Sequence, residues 1–147
     1  PEVEIILDLA LHLPPVSIDP EHLKQVLINL LRNSVQALDN HGRVRISSAV
    51  AYEPPGMATR PVQRSLIHGQ VLVRVIDNGP GIQEEDLSRI FVPFFTTKPQ
   101  GTGLGLAISQ RLIENARGRI EVQSRPGEGT AFTLRLPPAP ASDSSDV

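Results

Sequence analysis

The sequence predicts an α+β domain in which a layer of helices packs on one sheet. Strand-like and helix-like segments follow one another in mixed order, five of the first kind and three of the second. The length, 147 residues, fits one domain with a single core. Hydrophobic residues make up 39% and aromatic residues only 3%, so that core must be aliphatic.

The first strand is expected over residues 2–11, where β-branched residues partly alternate; Pro14-Pro15 ends it. Asp19-Pro20 pairs an N-cap carboxylate with proline at the first helical position. Apolar residues then recur at Leu23, Val26, Leu27, Leu30, Leu31, Val35, Ala37 and Leu38, the spacing of a helix that Asn40-His41-Gly42 stops. Arg43 to Ala51 alternates like a strand, and residues 53–69 hold the turn formers of a loop. Gln70 to Ile76 reads as a central strand, apolar on both faces. Glu84 to Ile90 fits a short helix, Phe91 to Gln100 is irregular, and a glycine-rich stretch from Gly101 opens a helix running to about Asn115. Arg119 to Gln123 and Thr130 to Leu136 are strands joined by a turn over residues 125–129. The domain is expected over residues 1–136, with 137–147 a disordered tail or linker.

Composition excludes several chemistries. Without cysteine there is no disulfide framework, thiolate zinc site or cysteine nucleophile. The net charge is −2 and the arginines are scattered, so neither nucleic acid nor direct membrane contact is expected. No apolar run approaches the roughly 18 residues of a membrane span. The chain begins Pro1-Glu2 without an initiator methionine, so a piece of a longer protein is expected.

Four constellations carry chemistry. Asn29, Asn33 and Gln36 lie within about 60° of arc beside the apolar stripe of the first helix. Asparagine weakens a helix interior, and its amide oxygen can ligate a hard cation such as Mg²⁺. Taken alone, the plainer reading is polar residues on a solvated face. Asp77-x-Gly79-x-Gly81 follows a buried strand, where an ionised carboxylate could accept from an adenine amine; a plain turn explains it equally. Gly101-Thr102-Gly103-Leu104-Gly105-Leu106 leads into a helix, so its N–H groups could meet phosphates, although a hinge would look the same. It has neither the Gly-Lys-Ser/Thr of a P-loop nor a preceding strand. Phe91 to Lys98 holds three of the four phenylalanines, with Thr96, Thr97 and Lys98 in reach of a terminal phosphate. Its rings suit either a docking surface or a satellite cluster.

The four together, in this order and spacing, closely resemble the catalytic and ATP-binding domain of bacterial sensor histidine kinases. That domain belongs to the ATPase superfamily shared with DNA gyrase, MutL and the large heat-shock chaperones. Residues 29–37 resemble its N box, 77–81 its first glycine box, 91–98 its F box, 101–106 its second glycine box, and 127–130 its last glycine motif. The short stretch between Lys98 and Gly101 is similar to nitrogen-regulation and dicarboxylate-sensing kinases. The resemblance implies the Bergerat fold: a two-layer sandwich, with a mixed sheet of about five strands covered on one face by about three helices.

The resemblance also implies ATP and Mg²⁺ as cofactors. Asn33 would ligate Mg²⁺, and Asn29 would lie near the phosphates. Asp77 would read the adenine amine, with Gly79 and Gly81 lining the base pocket and Ile82 and Leu106 as apolar walls. Lys98 would approach the γ-phosphate beside Thr96, Thr97 and Gln36. Gly101, Thr102, Gly103, Leu104 and Gly105 would wrap the phosphates, and Thr130 would support the adenine end. The implied reaction moves the γ-phosphoryl group to a histidine on a separate dimerisation domain, and then to a response regulator. The implied location is cytoplasmic, and the resemblance allows a parent anchored in the inner membrane. His12, His22, His41 and His68 lack the context of an acceptor and read as surface or structural residues. Anti-sigma-factor serine kinases and non-kinase ATPases share these motifs. Pro93-Phe94-Phe95 favours the histidine kinase, and Asn29 stands where hydrolysing members carry a glutamate. Ala116-Arg117-Gly118 departs from the His-Gly-Gly frequent in these kinases.

Overall fold

The structure is a computed structural model that describes residues 2–51, 69–99 and 101–140. Residues 53–68 of the expected loop over 53–69, His68 among them, together with Gln100 and residues 141–147 of the tail, lie outside the described residues.

The elements are β1 (Val3–Asp8), α1 (Pro20–Ala37), β2 (Gly42–Ala51), β3 (Gln70–Asp77), α2 (Glu84–Leu87), α3 (Gly105–Asn115), β4 (Arg119–Ser124) and β5 (Thr130–Leu136). The sheet runs β1-β2-β3-β5-β4. β1 is parallel to β2, and every other pair is antiparallel. This is the expected two-layer arrangement: a mixed sheet of five strands with three helices.

Strand alternation decides where the core lies. In β5, Thr130, Phe132, Leu134 and Leu136 are buried, while the residues between them are half-exposed. Val71 and Val75 of β3 and Val44 of β2 share that face by register. Val26 and Leu30 of α1 and Ile113 of α3 cover it, all fully buried. The core is aliphatic except for Phe132. β3 is central as expected, but its second face is only half-buried at Leu72 and Ile76, because the helices lie on the other side.

Asp19 caps α1: its carboxylate accepts the Glu21 N–H at 2.8 Å. Asp39 and Asn40 then take positive φ and end the helix just before Gly42. β1 stops at Asp8, short of the expected Leu11. The Ala10 N–H is taken by the Ser48 hydroxyl at 3.0 Å instead of by a ladder carbonyl, so the chain peels from β2. α2 also ends early, at Leu87. The Arg89 and Val92 N–H groups bond three residues back, in successive tight turns that carry Ile90 into the core. Beyond β5, Val16 bridges Pro138 and the Ala139 N–H donates to the Pro15 carbonyl at 2.7 Å.

Candidate active site

A cavity of about 540 Å³ lies between α1, the start of α3 and the ends of β3 and β5. Five separated segments line it. From α1 come Asn29, Asn33 and Gln36; from the end of β3 and the turn after it, Asp77, Gly81 and Ile82. Thr96, Thr97 and Lys98 face it from the phenylalanine-rich stretch. Gly101, Thr102, Gly103, Gly105 and Leu106 close it, and Thr130 reaches it from β5.

Asp77 defines one end. It is 5% exposed at the last position of β3. Its Oδ1 accepts the Gly79 N–H at 2.9 Å, which turns the second carboxylate oxygen to other partners. Gly79 itself does not line the cavity: it is pressed between Asp77 and Ala37, and acts by orienting the carboxylate. Gly81 has φ +77, and a Cβ there would overlap the Arg125 carbonyl, so the two turns can interlock only with glycine. Thr130 pairs with the Ser124 hydroxyl at 2.8 Å, and Ser124 also accepts the Ile82 N–H at 2.8 Å. One serine thus anchors the apolar wall and the threonine at the Asp77 end.

The opposite end is built on the start of α3. The Asn29 amide donates to the Gly105 carbonyl at 3.3 Å and to Ser109 Oγ at 3.2 Å. Its NH₂ therefore ties α1 to α3, and Oδ1 remains for the cavity. The peptide groups of Gly105 and its neighbours begin an 11-residue helix, where unpaired N–H groups and the dipole attract anions. Leu104, expected among the phosphate contacts, precedes α3 without lining the cavity; its N–H is held by Thr102 Oγ1 at 3.3 Å. Gly103 accepts the Phe94 N–H at 2.9 Å, and a Cβ on it would strike the Phe94 backbone. This locks the glycine loop to the phenylalanine-rich stretch. Phe91 and Phe95 pack on the core, the satellite cluster of the two readings, while Phe94 is 76% exposed.

Lys98 crosses the mouth. Its ammonium donates to Gln36 Oε1 at 2.8 Å and to Asn33 Oδ1 at 3.2 Å. Burial pushes its pKa below the ordinary lysine value, and the nearby Asp77 carboxylate opposes that shift. Arg32, Ala37, Pro80, Asp86, Ile90, Phe95 and Phe132 also line the cavity, and sequence reasoning missed them. Of these, Arg32 had a usable signal: it shares the helical face of Asn29, Asn33 and Gln36.

The chain belongs to the histidine kinase-, DNA gyrase B- and HSP90-like ATPases, whose family pattern matches residues 18–140. It is similar to the signal transduction histidine-protein kinase AtoS of Escherichia coli strain K12, 43% identical over 135 residues that cover 92% of this chain and 20% of the relative. It is also similar to sporulation kinase E of Bacillus subtilis strain 168, 36% identical over 135 residues, 92% of this chain and 16% of that protein. The chain thus spans a fifth or less of these two relatives. Among solved structures, the catalytic domain of histidine kinase ThkA matches with a TM-score of 0.72 at 34% identity, covering 92% of this chain and 78% of the other. Full-length ShkA in complex with AMPPNP matches with a TM-score of 0.71 at 30% identity, covering 92% and 25%.

Proposed function

We propose that the chain is the catalytic, ATP-binding part of a sensor histidine kinase. It binds Mg·ATP and presents the γ-phosphoryl group to a histidine on a separate dimerisation and phosphotransfer domain, from which a response-regulator aspartate takes it. The observation that carries this reading is the meeting of Asp77, Asn33, Lys98 and the glycine loop around one cavity. Similarity to proteins named histidine kinases supports it.

The free oxygen of Asp77 accepts from the adenine amine, in a buried setting that strengthens the bond. Gly81, Ile82, Leu106 and Thr130 enclose the base, with Gly79 holding the carboxylate. Thr96, Thr97, Lys98 and the loop from Gly101 to Gly105, Thr102 and Gly103 included, hold the triphosphate; Leu104 starts the helix whose N–H groups face it. Asn29 fixes α1 against the start of α3, where the phosphates lie.

The donor set fits a magnesium ion that arrives with its nucleotide. Asn33 Oδ1 and Gln36 Oε1 already converge on a cation, the Lys98 ammonium. Among the described residues no three His, Cys, Asp or Glu side chains cluster to hold a metal without phosphates. Asn33 would hold Mg²⁺ through Oδ1, and the bound ion would neutralise phosphate charge.

The chain's own contribution is positioning and charge. Among the described residues no carboxylate is poised to activate water at the phosphate end: the position is Asn29, and the Asp86 side chain accepts from Arg89 at 3.3 Å. ATP turnover by the chain alone should therefore be slow. Among the described residues the histidines are His12, His22 and His41; all are exposed and none lines the cavity, which supports an acceptor on another segment.

The test is labelling of the full-length protein, and of this chain mixed with its acceptor domain, by γ-labelled ATP. Acid-labile, base-stable phosphoprotein is expected only when the acceptor domain is present. ATP hydrolysis without phosphoprotein would overturn the reading, and acid-stable label would favour the serine kinase.

A further inference from the structure

Arg32 belongs to none of the roles derived so far. It lines the cavity from α1, on the face that carries Asn29, Asn33 and Gln36, and the four span about 100° of arc. It is exposed, and among the described residues it has no ion-pair partner. Among the described residues the only other cation lining the cavity is Lys98, whose ammonium faces Asn33 and Gln36.

The axis of α1 gives its height in the cleft. Ala37 marks the Asp77 end, because it packs against Gly79. Asn29 marks the α3 end through Gly105. At a rise of about 1.5 Å per residue, Arg32 lies roughly 7.5 Å from Ala37 and 4.5 Å from Asn29 along the axis. It is therefore displaced toward the phosphate end, on the solvent side of the mouth. Neither acid of the cavity competes for it there: Asp77 lies at the far end, and Asp86 is paired with Arg89.

We propose that Arg32 grips the terminal phosphate of bound ATP from the solvent side of α1, and so lets the domain distinguish ATP from ADP. This rests on reading the cavity as an ATP site. A magnesium-bound triphosphate keeps net negative charge, and its outermost oxygens face the mouth. Guanidinium is planar, weakly hydrated and bidentate toward phosphate, so an exposed arginine can contribute where an exposed lysine contributes less. After transfer, the phosphate it held has left, and product affinity no longer includes that contact.

Calorimetric affinities of this chain for Mg·ATP and Mg·ADP, in wild type, Arg32→Ala and Arg32→Lys, test the proposal. Arg32→Ala should weaken ATP about tenfold, equivalent to about 1.4 kcal/mol, and leave ADP within about twofold. Arg32→Lys should recover part of the loss. Unchanged ADP affinity also certifies that the variant is folded. ATP affinity within about twofold of wild type overturns the proposal. So does an equal loss for both nucleotides, which would mark a general effect of charge or fold. A wild-type chain that binds neither nucleotide sinks the ATP-site reading itself, and that result is visible without any variant.

Discussion

Replacing Asp77 by Asn probes adenine recognition with little change of shape. In the structure one carboxylate oxygen accepts the Gly79 N–H at 2.9 Å, and the side chain is almost wholly buried. Asparagine can keep that bond through its own oxygen, so the turn should survive. The other carboxylate oxygen, however, becomes an NH₂ group. An acceptor facing the adenine amine is replaced by a donor facing a donor. A hydrogen bond to a charged group contributes roughly 1.5–3 kcal/mol, and in a buried site the unmatched pair adds to the loss. ATP affinity should therefore fall by roughly ten- to a hundredfold, at about 1.4 kcal/mol per tenfold. GTP presents a carbonyl where ATP presents an amine, so the variant should also narrow the preference for ATP over GTP. Titration calorimetry with both nucleotides, alongside a thermal melt, measures these effects. A folded Asp77→Asn chain that binds ATP within about threefold of wild type would refute this account of adenine recognition.

Two further outcomes follow from the structure. Arg117, where related kinases often carry glycine, has φ +62 at the end of α3; its N–H bonds the Glu114 carbonyl and the Gly118 N–H bonds the Ile113 carbonyl, both at 2.9 Å. A left-handed non-glycine residue costs roughly 1–2 kcal/mol, and glycine returns part of this as backbone entropy, so Arg117→Gly should stabilise by roughly 0.5–1 kcal/mol. A melting temperature equal to or below wild type would contradict this. For Lys98, burial penalises the ammonium, so the unfolded chain holds this proton more tightly than the nucleotide-free fold. Its contribution to stability should rise as pH climbs through the lowered pKa, be complete above the ordinary value of 10.5, and be lost as pH falls again. Urea melts of wild type and Lys98→Met across that range should diverge accordingly, and parallel curves would count against the burial of the ammonium.

Local regularities were legible in the chain itself, since they depend on neighbours a few residues apart. The Asp19 cap, the apolar stripe of α1, the alternation of five strands and the glycine-rich approach to α3 are all of this kind. The spacing of Asn29, Asn33, Gln36, Asp77 and Lys98 was equally visible, and it carried the resemblance. Tertiary structure alone decided that β5 inserts between β3 and β4, bringing Thr130 opposite Asp77. It placed Gly79 against the carboxylate instead of in the cavity, engaged the Asn29 amide with α3, and left Leu104 outside while admitting Arg32 and Phe95. Those outcomes join residues tens of positions apart, and the contacts between them arise from strand register and helix packing, which no local pattern encodes.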